Sequence, residues 1–314
     1  MIHKLFKSFN PRVLKSFLTT KIGSKIGSKI GSKLGTKIMK ETEEKENVKE
    51  FIITDFHDLK LKDFKVLHSL GKGAFGTVYK ADGPDGKLYA LKIIPKKHYK
   101  LVTRGLKNSV NIDHPNFVKT YGYFEDKNIK DIDCIIIVME YIDGTNLNKA
   151  YKKDLFKTSD IPNILNQILK GLKYIHDKGI IHRDLKLDNI IIDQNNHIKI
   201  IDTDFLIDVK SMCPSERCGT PYFIPPEIYS NKKYHNCSFD IWSLGVCIYV
   251  LLTNTYPYDG DDVEDLSNSI LHSDLNVSKI PSLYLHLIKG MLDKNNENRM
   301  STDDVISTVD SISF

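Results

Sequence analysis

The feature that most limits how this chain can fold is a change of hydrophobic period along it. Residues 64–70, 76–81 and 88–94 are short runs rich in β-formers, the last two joined by the turn-forming Asp82-Gly-Pro-Asp-Gly86. A helical pattern over 97–112 follows, then strand-like runs near 117–124 and 134–139. Beyond residue 160 the period is helical. Ile164, Leu165, Ile168, Leu169, Leu172 and Ile175 form one apolar face, with Pro162 in the first turn and Gly179 just past the end. Strands first and helices after predict an α+β fold of two lobes, a small β-rich N-lobe and a larger α-helical C-lobe. With 314 residues, 41% of them hydrophobic and 27% charged, the chain can bury a core in each.

Several classes are excluded early. The longest uncharged apolar run, near Leu244–Leu252, is far short of the ~18 residues of a membrane span. The N-terminus has no continuous apolar stretch ending in a small-residue cleavage site. Cys134, Cys213, Cys218, Cys237 and Cys247 are scattered, without C-x-x-C spacing, so neither a disulfide framework nor a zinc site is indicated. An intracellular, cytoplasmic location is the expectation.

The net charge of +5 conceals a division. Residues 1–40 hold ten Lys or Arg and no acid, which leaves 35 basic against 40 acidic residues in the remainder. The expected organisation is a basic arm over 1–40, an acidic linker over 41–63 and one domain over 64–314. The arm repeats Lys-Ile-Gly-Ser three times, then Lys-Leu-Gly-Thr. A glycine in each repeat costs about 1 kcal/mol against alanine in a helix, so the repeat is not a stable helix in water. Ile2, Leu5, Phe6, Phe9, Val13, Phe17 and Leu18 do follow helical spacing among basic residues, which suits an anionic membrane surface and a peripheral attachment. A transit peptide, non-specific nucleic-acid binding and a solvated tail are its rivals. No specific nucleic acid is expected.

Three motifs carry chemistry. The first is Leu70-Gly71-Lys72-Gly73-Ala74-Phe75-Gly76-Thr77-Val78, a glycine-rich stretch flanked by strands on both sides. A dinucleotide site would need a helix after it and a Walker loop a Gly-Lys-Ser/Thr, so the pattern reads as a hairpin flap over phosphates, with an ordinary glycine-rich turn as the alternative. The second is Lys92 on the next strand, an ammonium among apolar neighbours that requires an anionic partner unless it snorkels from the strand to water. The third is His182-Arg-Asp-Leu-Lys-Leu-Asp-Asn189.

In this order the three resemble the eukaryotic protein kinase family. The resemblance runs from Phe64 to the C-terminus and extends to Asp202, Gly219-Thr-Pro221, Pro225-Pro-Glu227, Asp240-Ile-Trp-Ser-Leu-Gly245 and Arg299. Lys186 and Thr220 match the serine/threonine branch. Gly245–Leu252 and Tyr256-Pro-Tyr258 are similar to the calmodulin-dependent group. The resemblance implies ATP and Mg²⁺ as cofactors and protein substrates. It implies Asp184 as the acceptor of the substrate proton, Lys186 as a charge beside the transferred phosphate, and Asn189 and Asp202 as magnesium ligands. It further implies that the 70–78 loop and Lys92 hold the phosphates, that Val78, Ala90 and Ile191 sandwich the purine, and that Met139, Glu140 and Ile142 line the adenine edge. Asp240 and the Glu227–Arg299 pair would brace the large lobe. Asp188 is the one acid expected to meet a basic residue upstream of the target.

Two places depart from the family. The helix after Lys92 should carry a glutamate for that lysine, and the count back from His114-Pro-Asn116 places Gly105 there; no Glu occurs between Glu50 and Glu125. The triplet Asp-Phe-Gly reads Asp202-Thr203-Asp204. These changes keep a second class in view, a pseudokinase acting as a nucleotide-binding scaffold. On the sequence alone, Gly105→Glu is expected to raise activity. Glu216 is read either as pairing with Arg183 in place of a phosphorylated threonine or as an ordinary solvated glutamate.

Overall fold

The computed structural model describes residues 59–128, 130–211, 218–230 and 236–312. The arm, nearly all of the linker, and Glu216 lie outside the described residues.

The small lobe is one antiparallel sheet made of β1 (Lys65–Lys72), β2 (Thr77–Asp82), β3 (Leu88–Pro95), β4 (Thr120–Lys127) and β5 (Asp133–Glu140), in the order β1-β2-β3-β5-β4. Helix α1 (Tyr99–Ser109) connects β3 to β4. Alternation along the strands sorts the apolar side chains onto two faces. Leu91, Ile136 and Val138 pack with Phe64 and Phe124 on one face. Ala90, Ile94, Ile135, Ile137 and Met139 pack on the other against Val102 and Leu106 of α1. Lys92 has the parity of Ala90 and Ile94, so strand geometry sends it to the face that α1 covers.

The sequence pattern predicts helix α1 over 97–112 and the fourth strand from near residue 117, and the structure begins both later. A 3₁₀ turn at Lys96–His98 precedes α1, and β4 begins only at Thr120. The preceding residues are spent on joining the lobes: Val118 N–H donates to Ile200 O at 2.9 Å, and Ile200 N–H donates to Asn116 O at 2.8 Å.

The large lobe is mainly helical. It contains α2 (Leu147–Lys152), α3 (Ile161–His176), α4 (Pro226–Tyr229), α5 (Ser238–Thr253), α6 (Val263–His272), α7 (Ser282–Met291) and α8 (Thr302–Ile312). The expected apolar face of α3 is buried at every position, Ile164 through Ile175. Helix α5 is apolar all round and lies at the centre, with Trp242, Leu244 and Val246 fully buried. The acidic run before α6 is a helix entry as expected: the Asp262 side chain accepts the N–H groups of Glu264 and Asp265. Two small sheets sit where the lobes meet, β6 (Gly144–Asn146) with β8 (Ile190–Asp193) and β9 (Ile198–Ile200), and β7 (Ile180–Ile181) with β10 (Ile207–Asp208). The loops leaving β7 and β9 carry residues 182–189 and 202–204. Among the described residues no helix is long and apolar enough to cross a membrane.

The expected brace is present. Arg299 makes two parallel bonds to Glu227, each 2.8 Å, and both side chains are buried.

Candidate active site

The loop at 182–189 is clamped from below. Asp240, in the first turn of α5, accepts the backbone N–H groups of His182 and Arg183 at 2.8 and 2.9 Å, and contacts His176 Nε2 at 2.9 Å. Burial opposes charge on Asp240, but the bond from His176 and the nearby imidazoles hold its carboxyl below the ordinary range. Burial also holds His182 below its usual pKa, and a neutral ring suits the N–H that Asp184 donates to His182 Nδ1 at 3.3 Å. Arg183 adopts φ 68°, a left-handed conformation that costs a non-glycine residue roughly 1–2 kcal/mol.

That bend brings four polar groups together. Asp184 Oδ1 accepts the Thr220 hydroxyl at 2.7 Å. Asp184 Oδ2 accepts Lys186 Nζ at 2.7 Å and Asn189 Nδ2 at 3.1 Å. Lys186 Nζ also reaches Thr220 Oγ1 at 2.8 Å, and Asn189 Nδ2 reaches the Asp184 carbonyl at 2.9 Å. Burial works against the Lys186 charge, but Asp184 and then Asp202 hold its ammonium above the usual range. Asn189 spends its amide nitrogen on Asp184, which leaves its oxygen for a cation.

The other end of the cleft centres on Lys92, a buried residue. Its ammonium lies 2.7 Å from Asp202 Oδ1 and 2.6 Å from Asp204 Oδ2. Burial disfavours that charge, yet the two carboxylates hold its pKa above the ordinary lysine value. Burial also opposes ionisation of Asp202, and Lys92 overcomes it, so that this carboxyl sits below its usual range. The Asp204 carboxyl is pushed up, first by burial and then by the charge of Asp202, which Lys92 offsets only in part. Asp202 itself has φ 64°, a second non-glycine residue of this cleft in the left-handed region.

Gly105 does lie at this corner, but not as a vacancy waiting for a glutamate. A Cβ built on it would stand 2.2 Å from the Asp204 carbonyl oxygen and 2.5 Å from that of Thr203. The helix touches the triplet backbone to backbone, and no side chain fits between them. The expectation that Gly105→Glu raises activity is therefore corrected, because the substitution must push α1 off the triplet.

The remaining expected residues line the cleft between these two ends. Val78 of β2 and Ala90 of β3 lie under the sheet, and Ala90 pairs in register with Met139 of β5. Glu140 ends β5, where the chain leaves the sheet; its carboxylate pairs with Lys199 at 2.8 Å. Ile142 packs against the small-lobe cluster, and Ile191 lies on β8, half-buried, on the large-lobe side. In the glycine loop, Leu70, Gly71, Lys72, Gly73 and Ala74 are exposed, and Thr77 is half-buried. No atom lies within 4 Å of a Cβ placed on Gly71, and one on Gly73 meets only the Gly76 carbonyl oxygen at 3.8 Å. Gly76 is different: a Cβ there would be 2.2 Å from Ile93 O, so glycine lets the loop close onto β3. Phe75 does not cover open cleft. It is buried against the small-lobe core with its ring edge-on to Phe205, 5.3 Å between centroids.

Two functional contacts escaped the sequence reading. Thr220 was read as a mark of the branch and turns out to hydrogen-bond both Asp184 and Lys186. Asp204, which stands where the family triplet has glycine, is an ion-pair partner of Lys92. The signal was present as an acid missing from one place and an extra acid at another. Asp188 is exposed and accepts the Asn148 amide at 3.1 Å.

Comparison with known proteins agrees with this geometry. Residues 64–309 match the protein kinase domain family. Serine/threonine-protein kinase PLK4 of Xenopus tropicalis is 34% identical over 259 residues, covering 78% of this chain and 26% of the relative. NUAK family SNF1-like kinase 2 of Rattus norvegicus is 33% identical over 259 residues, 80% of this chain and 40% of the relative. Serine/threonine-protein kinase PLK2 of Mus musculus is 33% identical over 248 residues, 76% of this chain and 36% of the relative. The chain thus matches between about a quarter and two fifths of the length of these relatives.

Proposed function

The chain belongs to the protein kinase family, and on that premise we propose that it transfers the γ-phosphoryl group of ATP to serine and threonine hydroxyls of proteins. The observation that carries this reading is the four-membered cluster of Asp184, Lys186, Asn189 and Thr220. A buried carboxylate held by three donors is aimed at one place, with a cation beside it. That is what proton acceptance next to a developing phosphate charge requires.

In this reading the target hydroxyl lies against Asp184. A bond forms from its oxygen to the γ-phosphorus as the bond from that phosphorus to the β–γ bridging oxygen breaks, and ADP leaves. The hydroxyl proton passes to Asp184. Lys186 offsets charge on the oxygens in transfer. Lys92 holds the α and β phosphates beneath the glycine loop. Val78, Ala90 and Ile191 enclose the purine, and Met139, Glu140 and Ile142 border its edge. Asn189 and Asp202 supply oxygen ligands of the kind magnesium prefers, and they fit it. When bound, that ion neutralises phosphate charge and fixes the phosphates for in-line transfer.

The test is incubation with γ-labelled ATP, Mg²⁺ and a generic protein substrate, wild type beside Asp184→Asn, followed by analysis of the labelled amino acid. Label on Ser or Thr that disappears in the variant is the expected result. Magnesium-dependent nucleotide binding without transfer would instead favour a scaffold. Residues 1–40 supply the charge for docking on anionic lipid, and vesicle sedimentation of full-length and 41–314 proteins separates that role from a plain tail. Retention of the full-length form alone, on anionic lipid alone, is expected.

A further inference from the structure

The two departures from the family pattern touch each other. Helix α1 brings no carboxylate to Lys92, since Tyr99–Ser109 contains neither Asp nor Glu. It brings Gly105, whose bare Cα lets the helix rest on the carbonyls of Thr203 and Asp204. Asp204, standing where the family has glycine, sends its carboxylate to Lys92. The acid and the glycine have exchanged places between the helix and the triplet.

The two carboxylates on Lys92 are not equivalent. The Asp202 side chain is 27% exposed, on the open side of the corner, whereas that of Asp204 is 5% exposed. A hydrated divalent cation can reach the first and not the second. We propose that Asp204 is the positioning residue for Lys92, keeping its ammonium in place for the phosphates while Asp202 turns to the magnesium ion. This rests on the reading of Lys92 as the phosphate-holding lysine. It carries a consequence for the fold: the anchor of Lys92 belongs to the triplet, so α1 contributes packing at this corner and no carboxylate.

The test uses the full chain as wild type, Asp204→Asn and Asp204→Gly. Asn keeps the shape of Asp and removes its charge, so the folded state is retained; Gly restores the family residue and repeats the loss of charge. In nucleotide-free protein, a brief pulse of acetic anhydride is followed by mass spectrometry of each lysine. Lys92 is expected to acetylate about tenfold faster in Asp204→Asn, because the ammonium has lost a stabilising partner, while exposed Lys87 is unchanged. In steady state, kcat at saturating Mg-ATP is expected to fall about tenfold or more with KM for ATP within about threefold, since a loose lysine still attracts phosphate but no longer fixes it. A merely structural Asp204 would lower the melting temperature and leave Lys92 reactivity alone. Unchanged Lys92 acetylation in both variants, or wild-type kcat in Asp204→Asn, overturns the proposal. If wild type itself transfers no phosphate, the kinase reading fails, and the nucleotide-free labelling still decides whether Asp204 holds Lys92.

Discussion

The two ends of the cleft are assembled on different plans. At the large-lobe end, Asp184, Lys186 and Asn189 come from one short loop, and Asp240 of α5 clamps that loop through its backbone. At the small-lobe end, a strand lysine meets carboxylates 110 and 112 residues further along the chain, and a helix closes over them through Gly105. The first end follows the family residue for residue, and the second departs twice. A loop whose members bond to one another loses several contacts with any single change. A corner whose parts come from separate elements requires only that opposite charges meet, so the acid can come from a different segment provided that space is made for it.

This contrast can be tested in order of expected effect. Asp184→Asn removes the proposed proton acceptor and is expected to lower turnover by about 10²–10⁴-fold, with nucleotide affinity nearly unchanged. A titration that shows affinity falling in parallel would mean that Asp184 also organises the nucleotide end. Glu227→Gln leaves Arg299 charged, buried and half-partnered, and is expected to cost about 3–5 kcal/mol in denaturant unfolding. That loss concerns the large-lobe brace, so Lys92 acetylation in the remaining folded protein should match wild type. Gly105→Ala gains helix propensity of about 1 kcal/mol but forces a Cβ against the triplet, an overpacking cost of about 1–3 kcal/mol. A lower melting temperature and a slower enzyme are expected, and a more stable, equally active variant would show that α1 can stand off the triplet without penalty. Thr220→Val removes one hydroxyl from the Asp184 cluster and is expected to reduce kcat up to about tenfold, with Thr220→Ser close to wild type. If Ser and Val behave alike, the hydroxyl is not what Thr220 contributes.

How legible each end was in the sequence follows the same contrast. The lobes, the order of elements and the apolar face of α3 could be read from period alone, because short-range repetition encodes them. The 182–189 loop could be read because its members are close in sequence. The partner of Lys92 could not, because sequence spacing says nothing about which of two distant acids faces a strand lysine. Gly105 looked like a defect for the same reason: whether a missing side chain is a loss or a clearance depends on what lies opposite. Phe75 shows the limit from the other side. Its membership of the glycine loop puts it among the residues expected at the phosphates, whereas its ring is buried against Phe205 and the small-lobe core.

The most direct measurement of the account is a crystal structure of the full chain with magnesium and a non-hydrolysable ATP analogue. Lys92 Nζ is expected within ion-pair distance of both the Asp204 carboxylate and a phosphate oxygen, with Asp202 turned onto the metal and α1 still resting on the triplet at Gly105. Asp204 turned away from a Lys92 that is held by phosphate alone, or Asp202 still on Lys92 with the metal elsewhere, would contradict it.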